Sequence, residues 1–263
     1  MRPVFLVCGA AGTDGDVTHA VRVWGNTGHG FRFFTARSAA ISTGSFRPRE
    51  KVAEGLDMNA SSTAVTNWRR VLKSLNCDGA FGLGLLITCA VLLLPELAGD
   101  SGRALLRYDR VGLEAAQWWR LLTAHVVHLD LEHATLNSLG LVLMWALFAR
   151  DYRAGQWVLI VLTAMAAIDA GLWLRDSTTA WYVGSSGALH GVMAAGTLAH
   201  LRRGDLDGWV LAAFIVVKLG FEQHAGALPF SGSGPGVVVD AHLYGSLGGA
   251  AIAAFLKPRA ESL

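Results

Sequence analysis

The sequence predicts an all-α membrane protein with six transmembrane helices. Of its 263 residues, 52% are hydrophobic and only 16% are charged, which leaves too little polar surface for a soluble domain of this length. About 20 mainly apolar residues cross the bilayer core as a helix, and several segments approach that length once Gly and Ser are tolerated. The predicted spans are 81–98, 132–149, 156–174, 185–201, 208–224 and 237–256.

Basic residues predict how these spans cross the membrane. They precede the first span and follow the second, fourth and sixth, positions that share one side if the spans alternate. Because cytoplasmic loops are enriched in Lys and Arg, we expect both termini in the cytoplasm. The arginines of the long first loop, 99–131, oppose this orientation, but acidic residues of the same loop balance them. The residues that support it are Arg69, Arg70, Lys73, Arg150, Arg153, Arg202, Arg203, Lys257 and Arg259.

The chain divides into four predicted parts. Residues 1–57 contain no stretch of spanning length, and we expect a disordered extension or a misassigned start upstream of a true start at Met58. Residues 58–80 read as a cytoplasmic basic lead-in to the six-helix domain at 81–256. Residues 257–263 are predicted to be a cytoplasmic tail.

The composition also argues against a nucleic-acid partner, a disulfide framework and a bound metal. The net charge is only +2, and no basic cluster is interleaved with aromatics, so we expect no nucleic-acid partner. The three cysteines, Cys8, Cys77 and Cys89, share no paired spacing that would indicate a disulfide framework or a zinc site. The histidines do not form the HExxH array of zinc proteases. We therefore predict a protein without metal or organic cofactor, whose surroundings are the lipid bilayer.

A short motif, Gly184-Ser185-Ser186-Gly187, lies where a loop enters the fourth span. Small residues are common at membrane helix contacts and helix starts, so the string alone is weak evidence. The position of the motif strengthens the evidence for a catalytic serine. The first turn of a helix offers unpaired backbone N–H groups at the positive end of the helix dipole, where an oxyanion is best stabilised. Ser186 is the predicted nucleophile.

A serine hydroxyl needs a base within hydrogen-bond reach, and His242 is the candidate. It lies near the non-cytoplasmic end of the sixth span, at a depth similar to Ser186. A histidine satisfied by a backbone carbonyl is the simpler alternative, although ionisable residues within spans default to functional candidates. Gly245 and Gly249 follow on the same helix face, which permits close approach of a neighbouring helix.

His190, four residues after Ser186, is a rival base because it shares the serine's helix face. We favour His242, since a partner on another helix can approach the hydroxyl in line.

His133 and Asn137 share one face of the second span and form either a self-satisfied polar pair or two donors for an oxyanion.

Lys218 and Glu222 lie four apart in the fifth span and are predicted to pair. The spacing is compatible with a structural pair and with a pair that contacts the tail of a substrate.

Three motifs taken together resemble the rhomboid family of intramembrane proteases over residues 81–256. They are HxxxN at 133–137, GxSG at 184–187 and HxxGxxxG at 242–249. The resemblance implies a compact six-helix bundle with a Ser-His dyad in a water-accessible cavity below the membrane surface. It also implies an oxyanion hole made by the Ser186 N–H, His133 and Asn137. Gly184, Gly187 and Gly245 are the implied supporting residues of the site.

One departure narrows the resemblance. Rhomboids often carry Tyr or Phe four residues after the nucleophile, packed on the base histidine, whereas this chain has His190. The string GSSGALHG at 184–191 is similar to the rhombosortase subfamily, which is associated with processing a C-terminal Gly-Gly sorting tail on secreted bacterial proteins. The implied substrate is a single-span protein with a glycine motif and a basic end, cut near the outer face of a bacterial inner (plasma) membrane. His190 would then orient or stack on His242.

Two alternatives come from other classes. A catalytically inactive rhomboid-like scaffold would bind transmembrane clients, but such relatives typically lose the serine or the base, and Ser186 and His242 are both present. A transporter is disfavoured because the sequence shows no repeated half with matching broken helices.

Overall fold

The computed structural model describes residues 6–7, 22–23, 68–227 and 237–259. The chain divides into two units, Met1–Leu56 and Asp57–Leu263. In the first unit the described residues form two antiparallel strands, β1 (Leu6–Val7) and β2 (Arg22–Val23). Apart from these strands, the predicted extension at 1–57 lies outside the described residues, as do residues 58–67 of the lead-in and the last four residues of the tail.

The second unit is mostly helical, and helices overlap every predicted span. Residues 68–74 form a short helical segment before the first long helix. The helices that follow are α1 (Gly79–Leu93), a 3₁₀ helix (Leu94–Ala98), α2 (Gly99–Leu106), α3 (Arg110–Glu114), α4 (Arg120–Thr123), α5 (Leu131–Phe148), α6 (Ala154–Leu174), α7 (Ser186–Arg203), α8 (Leu206–Ala225) and α9 (Asp240–Phe255). Two further strands, β3 (Tyr108–Asp109) and β4 (Trp181–Tyr182), pair antiparallel and depart from a purely helical fold.

The first predicted span changes from an α-helix to a 3₁₀ helix before its end. The α-helix stops at Leu93 and a 3₁₀ helix continues through Pro95 to Ala98. Proline has no N–H to donate and its ring crowds the carbonyl four residues earlier, which ends a regular α-helix. The helical stretch nevertheless reaches from Gly79 to Leu106 when its pieces are joined.

Within the described residues, three helical stretches are long and apolar enough to cross a membrane: Gly79–Leu106, Leu131–Phe148 and Ala154–Leu174. Two other long helices differ from these in composition or in length. Helix α7 carries histidines and glycines, and α9 has only 16 residues. Large apolar side chains are nonetheless exposed along α8, among them Val210, Val217 and Phe221. An exposed apolar surface of this kind is suited to contact with lipid.

Helix α7 lies centrally, between α6, α8 and α9, and its contact with α9 is very close. A Cβ added at Gly245 would lie 2.0 Å from the Gly187 carbonyl oxygen, and one at Gly249 would lie 2.2 Å from the Gly191 carbonyl oxygen. Only glycine lets the two backbones meet at this distance. The glycine spacing that predicted a close helix contact therefore corresponds to the α7–α9 crossing.

The long first loop is folded rather than extended. Arg120 is buried, and its guanidinium donates to the carbonyl oxygens of Ala104 and Arg107 at 2.9 and 2.8 Å. Tyr108 of β3 and Tyr182 of β4 are partners in the small sheet and are both buried. The loop therefore holds the strand that leads into α7.

Candidate active site

The approach to α7 is determined by one unusual backbone conformation. Gly184 has φ +121°, in the region that favours glycine, and its N–H donates to the Ala124 carbonyl at 2.9 Å. The Tyr182 hydroxyl donates to the Gly184 carbonyl at 2.7 Å. A Cβ at this position would also lie 3.1 Å from Cε1 of His133. These contacts make Ser186 the first residue of α7.

Ser186 and His242 are brought together by the α7–α9 crossing. The Ser186 Oγ lies 3.0 Å from Nε2 of His242, a side chain that is only 1% exposed. A Cβ at Gly187 would lie 2.8 Å from the Ala241 carbonyl oxygen, so this glycine also keeps the two helices close. At this distance a neutral imidazole can accept the serine proton.

The His190 ring lies beside His242 rather than at the Ser186 hydroxyl. Its ring stacks on the His242 ring with centroids 4.1 Å apart and planes 15° apart. Its Nδ1 donates to the Ser186 carbonyl oxygen at 2.7 Å, since a carbonyl can only accept. In this structure the hydroxyl of Ser186 therefore bonds His242 and not His190.

His133 and Asn137 of α5 are both buried near Ser186. Nδ2 of Asn137 donates to the His133 carbonyl at 2.9 Å, and Asn137 also lines the cavity at Ser186. The Leu129 N–H makes a long contact of 3.5 Å with Nδ1 of His133, which favours the proton on Nε2. That Nε2 is buried and has no hydrogen-bond partner in the described part of the chain. An unpaired N–H of this kind is suited to receive an oxyanion.

His128 secures the turn before Ser186. Its Nε2 lies 3.2 Å from the Ser185 Oγ, while Glu96 accepts its backbone N–H at 3.0 Å and Arg103 donates to its carbonyl at 2.6 Å. Burial lowers the pKa of His128 to about 3, with the nearby His133 adding to the effect. The His128 ring is therefore neutral at physiological pH, the form in which it bonds the Ser185 hydroxyl.

Glu222 was not expected at this site. Its Oε2 lies 2.9 Å from Nδ1 of His242, and its Oε1 accepts from Nζ of Lys218 at 2.5 Å. The i,i+4 pairing with Lys218 could be predicted along one helix, but the contact with His242 depends on how α8 meets α9. The available signal was an ionisable residue within an apolar helix.

A cavity of about 310 Å³ opens onto Ser186 and His242. Its walls come from α5, α7, α8 and α9 and are mainly apolar. The lining residues are Leu136, Asn137, Gly140, Leu143, Met144, Ser186, Leu189, His190, Met193, Phe214, Lys218 and His242.

Two groups among the described residues offer three metal-ligating side chains each: His190, Glu222 and His242, and His200, Asp205 and Asp207. In the first group both nitrogens of His242 are already engaged in hydrogen bonds. In the second group Asp205 is paired with Arg203, and Nε2 of His200 is paired with Asp151. That the reaction needs no metal stays a prediction.

Comparison with known proteins defines the class. The rhomboid domain family matches residues 115–259, more than half of the chain, and the chain therefore belongs to the rhomboid family. Rhomboid proteases are membrane-integral serine hydrolases, and the family also contains inactive members.

Two relatives from Bacillus subtilis (strain 168) are similar to this chain. YdcA, named as a candidate rhomboid protease, is 25% identical over 139 residues, which cover 53% of this chain and 67% of YdcA. The rhomboid protease GluP is 28% identical over 144 residues, which cover 53% of this chain and 26% of GluP. The chain thus matches about a quarter of GluP's length.

Proposed function

We propose that this protein is an intramembrane serine endopeptidase with Ser186 as nucleophile and His242 as general base. The observation that carries the proposal is the 3.0 Å contact between the Ser186 Oγ and Nε2 of His242 at the wall of a cavity. Membership of the rhomboid family supports the same reaction class.

The reaction is acyl transfer from a peptide to water. His242 takes the proton of Ser186 while the serine oxygen attacks a peptide carbonyl. The oxyanion that forms is held by the Ser186 N–H at the start of α7, by Nε2–H of His133 and by Asn137. His242 then protonates the leaving amine, and water hydrolyses the acyl-enzyme by the same steps.

The proposed substrates are single-span membrane proteins with a C-terminal Gly-Gly sorting tail. This rests on the similarity of residues 184–191, with His190 after the serine, to the rhombosortase string. We further propose a six-span protein of the bacterial inner (plasma) membrane with both termini in the cytoplasm, on the distribution of Lys and Arg. Cleavage would then occur near the outer face, where α7 begins.

An inactive scaffold that binds transmembrane clients is the alternative. A scaffold has no need to keep a serine, a base in hydrogen-bond contact and a buried unpaired N–H beside them. Ser186, His242 and Nε2 of His133 meet these three conditions.

Labelling with a fluorophosphonate probe separates the two. The full chain in detergent micelles should become labelled at Ser186, and Ser186→Ala and His242→Ala should each abolish labelling while keeping the thermal unfolding midpoint. Ser101→Ala, which removes an exposed hydroxyl in the first loop, serves as the matched control and should label normally. A native chain that is folded but never labelled would support the scaffold.

The substrate proposal needs its own test. Two single-span peptides with a basic end, identical except for Gly-Gly or Leu-Leu before the apolar helix, are incubated with the labelling-competent protein. We expect cleavage near the glycine pair and little cleavage of the Leu-Leu peptide. Equal cleavage of both would reject the sorting-tail specificity while leaving the protease intact.

A further inference from the structure

On the side away from Ser186, His242 contacts the buried carboxylate of Glu222. The side chains of Glu222 and His242 are 0% and 1% exposed, and the other oxygen of the carboxylate contacts Lys218. We infer that Glu222 is a positioning residue that extends the Ser186–His242 pair to a Ser-His-Glu triad, with Lys218 as its counterion. The inference rests on the proposed serine protease function.

The hydrogen-bond partners determine which ring nitrogen of His242 carries the proton. An ionised carboxylate can only accept, so at 2.9 Å Nδ1 must be the donor to Glu222. The neutral ring then has its lone pair on Nε2, which faces the Ser186 Oγ at 3.0 Å. Without the carboxylate the ring could adopt the other tautomer, whose Nε2–H cannot accept a proton from serine.

Two different contacts orient the same ring. The stacked ring of His190, on α7, holds the plane of His242 at 15° to its own. Glu222, on α8, sets the rotation of His242 within that plane through the hydrogen bond to Nδ1. Because one contact acts on the face and the other on the edge, neither can replace the other.

The charges of the site are arranged to match those that develop in the reaction. A buried carboxylate is costly unless a hydrogen-bonded cation accompanies it, and Lys218 lies one helical turn earlier on the same face of α8. When His242 takes the serine proton, the new positive charge lies next to Glu222, which stabilises it. The carboxylate is thus in place before the charge appears.

Each proton is accounted for in the acylation step. The Ser186 proton moves to Nε2 of His242 as Oγ bonds the carbonyl carbon and the π electrons move to the carbonyl oxygen. Nδ1–H stays bonded to Glu222, which remains ionised. The C–N bond then breaks, and Nε2–H passes its proton to the leaving amine.

A purely structural Lys218–Glu222 ion pair is the competing explanation. Removing both charges together distinguishes the two, because a buried ion pair can often be replaced by uncharged side chains of similar volume without loss of stability. A structural pair predicts that the double variant Lys218→Met/Glu222→Gln folds and reacts like the native protein. A triad predicts that it folds but reacts slowly.

The experiment measures kinact and KI for fluorophosphonate labelling of Ser186 in the full chain. Variants are Glu222→Gln, Glu222→Asp, the double variant and, as a matched control, Glu114→Gln at an exposed position in the first loop. We expect kinact to fall by about 10²–10⁴-fold in Glu222→Gln and in the double variant, as for loss of the triad acid in soluble serine proteases, with KI near its native value. Glu222→Asp, which keeps the carboxylate, should recover part of the loss.

The outcomes are distinct. A folded double variant with native kinact overturns the triad and leaves the proposed protease standing. A native chain without labelling at Ser186 refutes the proposed function, and the triad with it. If Glu222→Gln alone fails to fold because Lys218 is left unpaired, the double variant and Glu222→Asp decide.

Discussion

The contact between Gly245 and Gly187 makes the serine-histidine distance sensitive to a single methyl group. In Gly245→Ala the new Cβ would lie 2.0 Å from the Gly187 carbonyl oxygen, where ordinary contact begins at 3.4 Å. Both atoms are tied to backbone, so α7 and α9 must separate by about 1.4 Å, the difference between these two distances. Gly187 adjoins Ser186, and Gly245 lies one helical turn after His242, so the separation directly lengthens the contact between Ser186 and His242.

The expected loss can be estimated from that displacement. Opening the 3.0 Å contact by more than 1 Å removes the hydrogen bond between Ser186 and His242. A misplacement of about 1 Å costs about 10²-fold in rate, and overpacking costs about 1–3 kcal/mol of folding free energy. We therefore expect Gly245→Ala to lower the fluorophosphonate labelling rate about 100-fold and to lower the unfolding midpoint.

Gly220→Ala is the matched control, because a Cβ there meets nothing within 4 Å. Both variants make the same chemical change in a helix and share its gain in helix propensity. Labelling rates and thermal midpoints are compared at equal protein concentration in the same detergent. Equal labelling rates in the two folded variants would refute the argument that this crossing sets the reactive geometry.

Other predictions concern the residues around the pair. His133→Ala and Asn137→Ala should each lower peptide turnover by about 10²–10³-fold without abolishing labelling, and unchanged turnover in both would assign them a structural role. His190→Phe should keep more activity than His190→Ala because an aromatic ring preserves stacking on His242; a dead His190→Phe beside an active His242→Ala would make His190 the base. His128 has a lowered pKa, so its contribution to stability is full above pH 6.5 and is lost as pH falls towards about 3. The unfolding midpoint should fall less over that range in His128→Gln, and an identical fall would contradict the burial argument.

The resemblance to rhomboid proteases is confirmed at the level of the family, and it could be read from the sequence because the motifs are local. Residues 184–187 are four consecutive residues, and His133 and Asn137 share a helix face by spacing alone. The apolar segments likewise predict helices, since hydropathy and length are properties of a single stretch of chain. The number of membrane crossings stays a prediction for the segments beyond the three most apolar stretches.

Contacts between helices required the tertiary structure. The sequence determined by itself that Lys218 and Glu222 could pair and that the glycines after His242 allow a close approach, because both follow from helical spacing. It did not determine that Glu222 contacts Nδ1 of His242, or that His190 bonds the Ser186 carbonyl rather than the hydroxyl. Those contacts depend on the relative rotation and depth of α7, α8 and α9, which side-chain packing decides and which no single helix specifies.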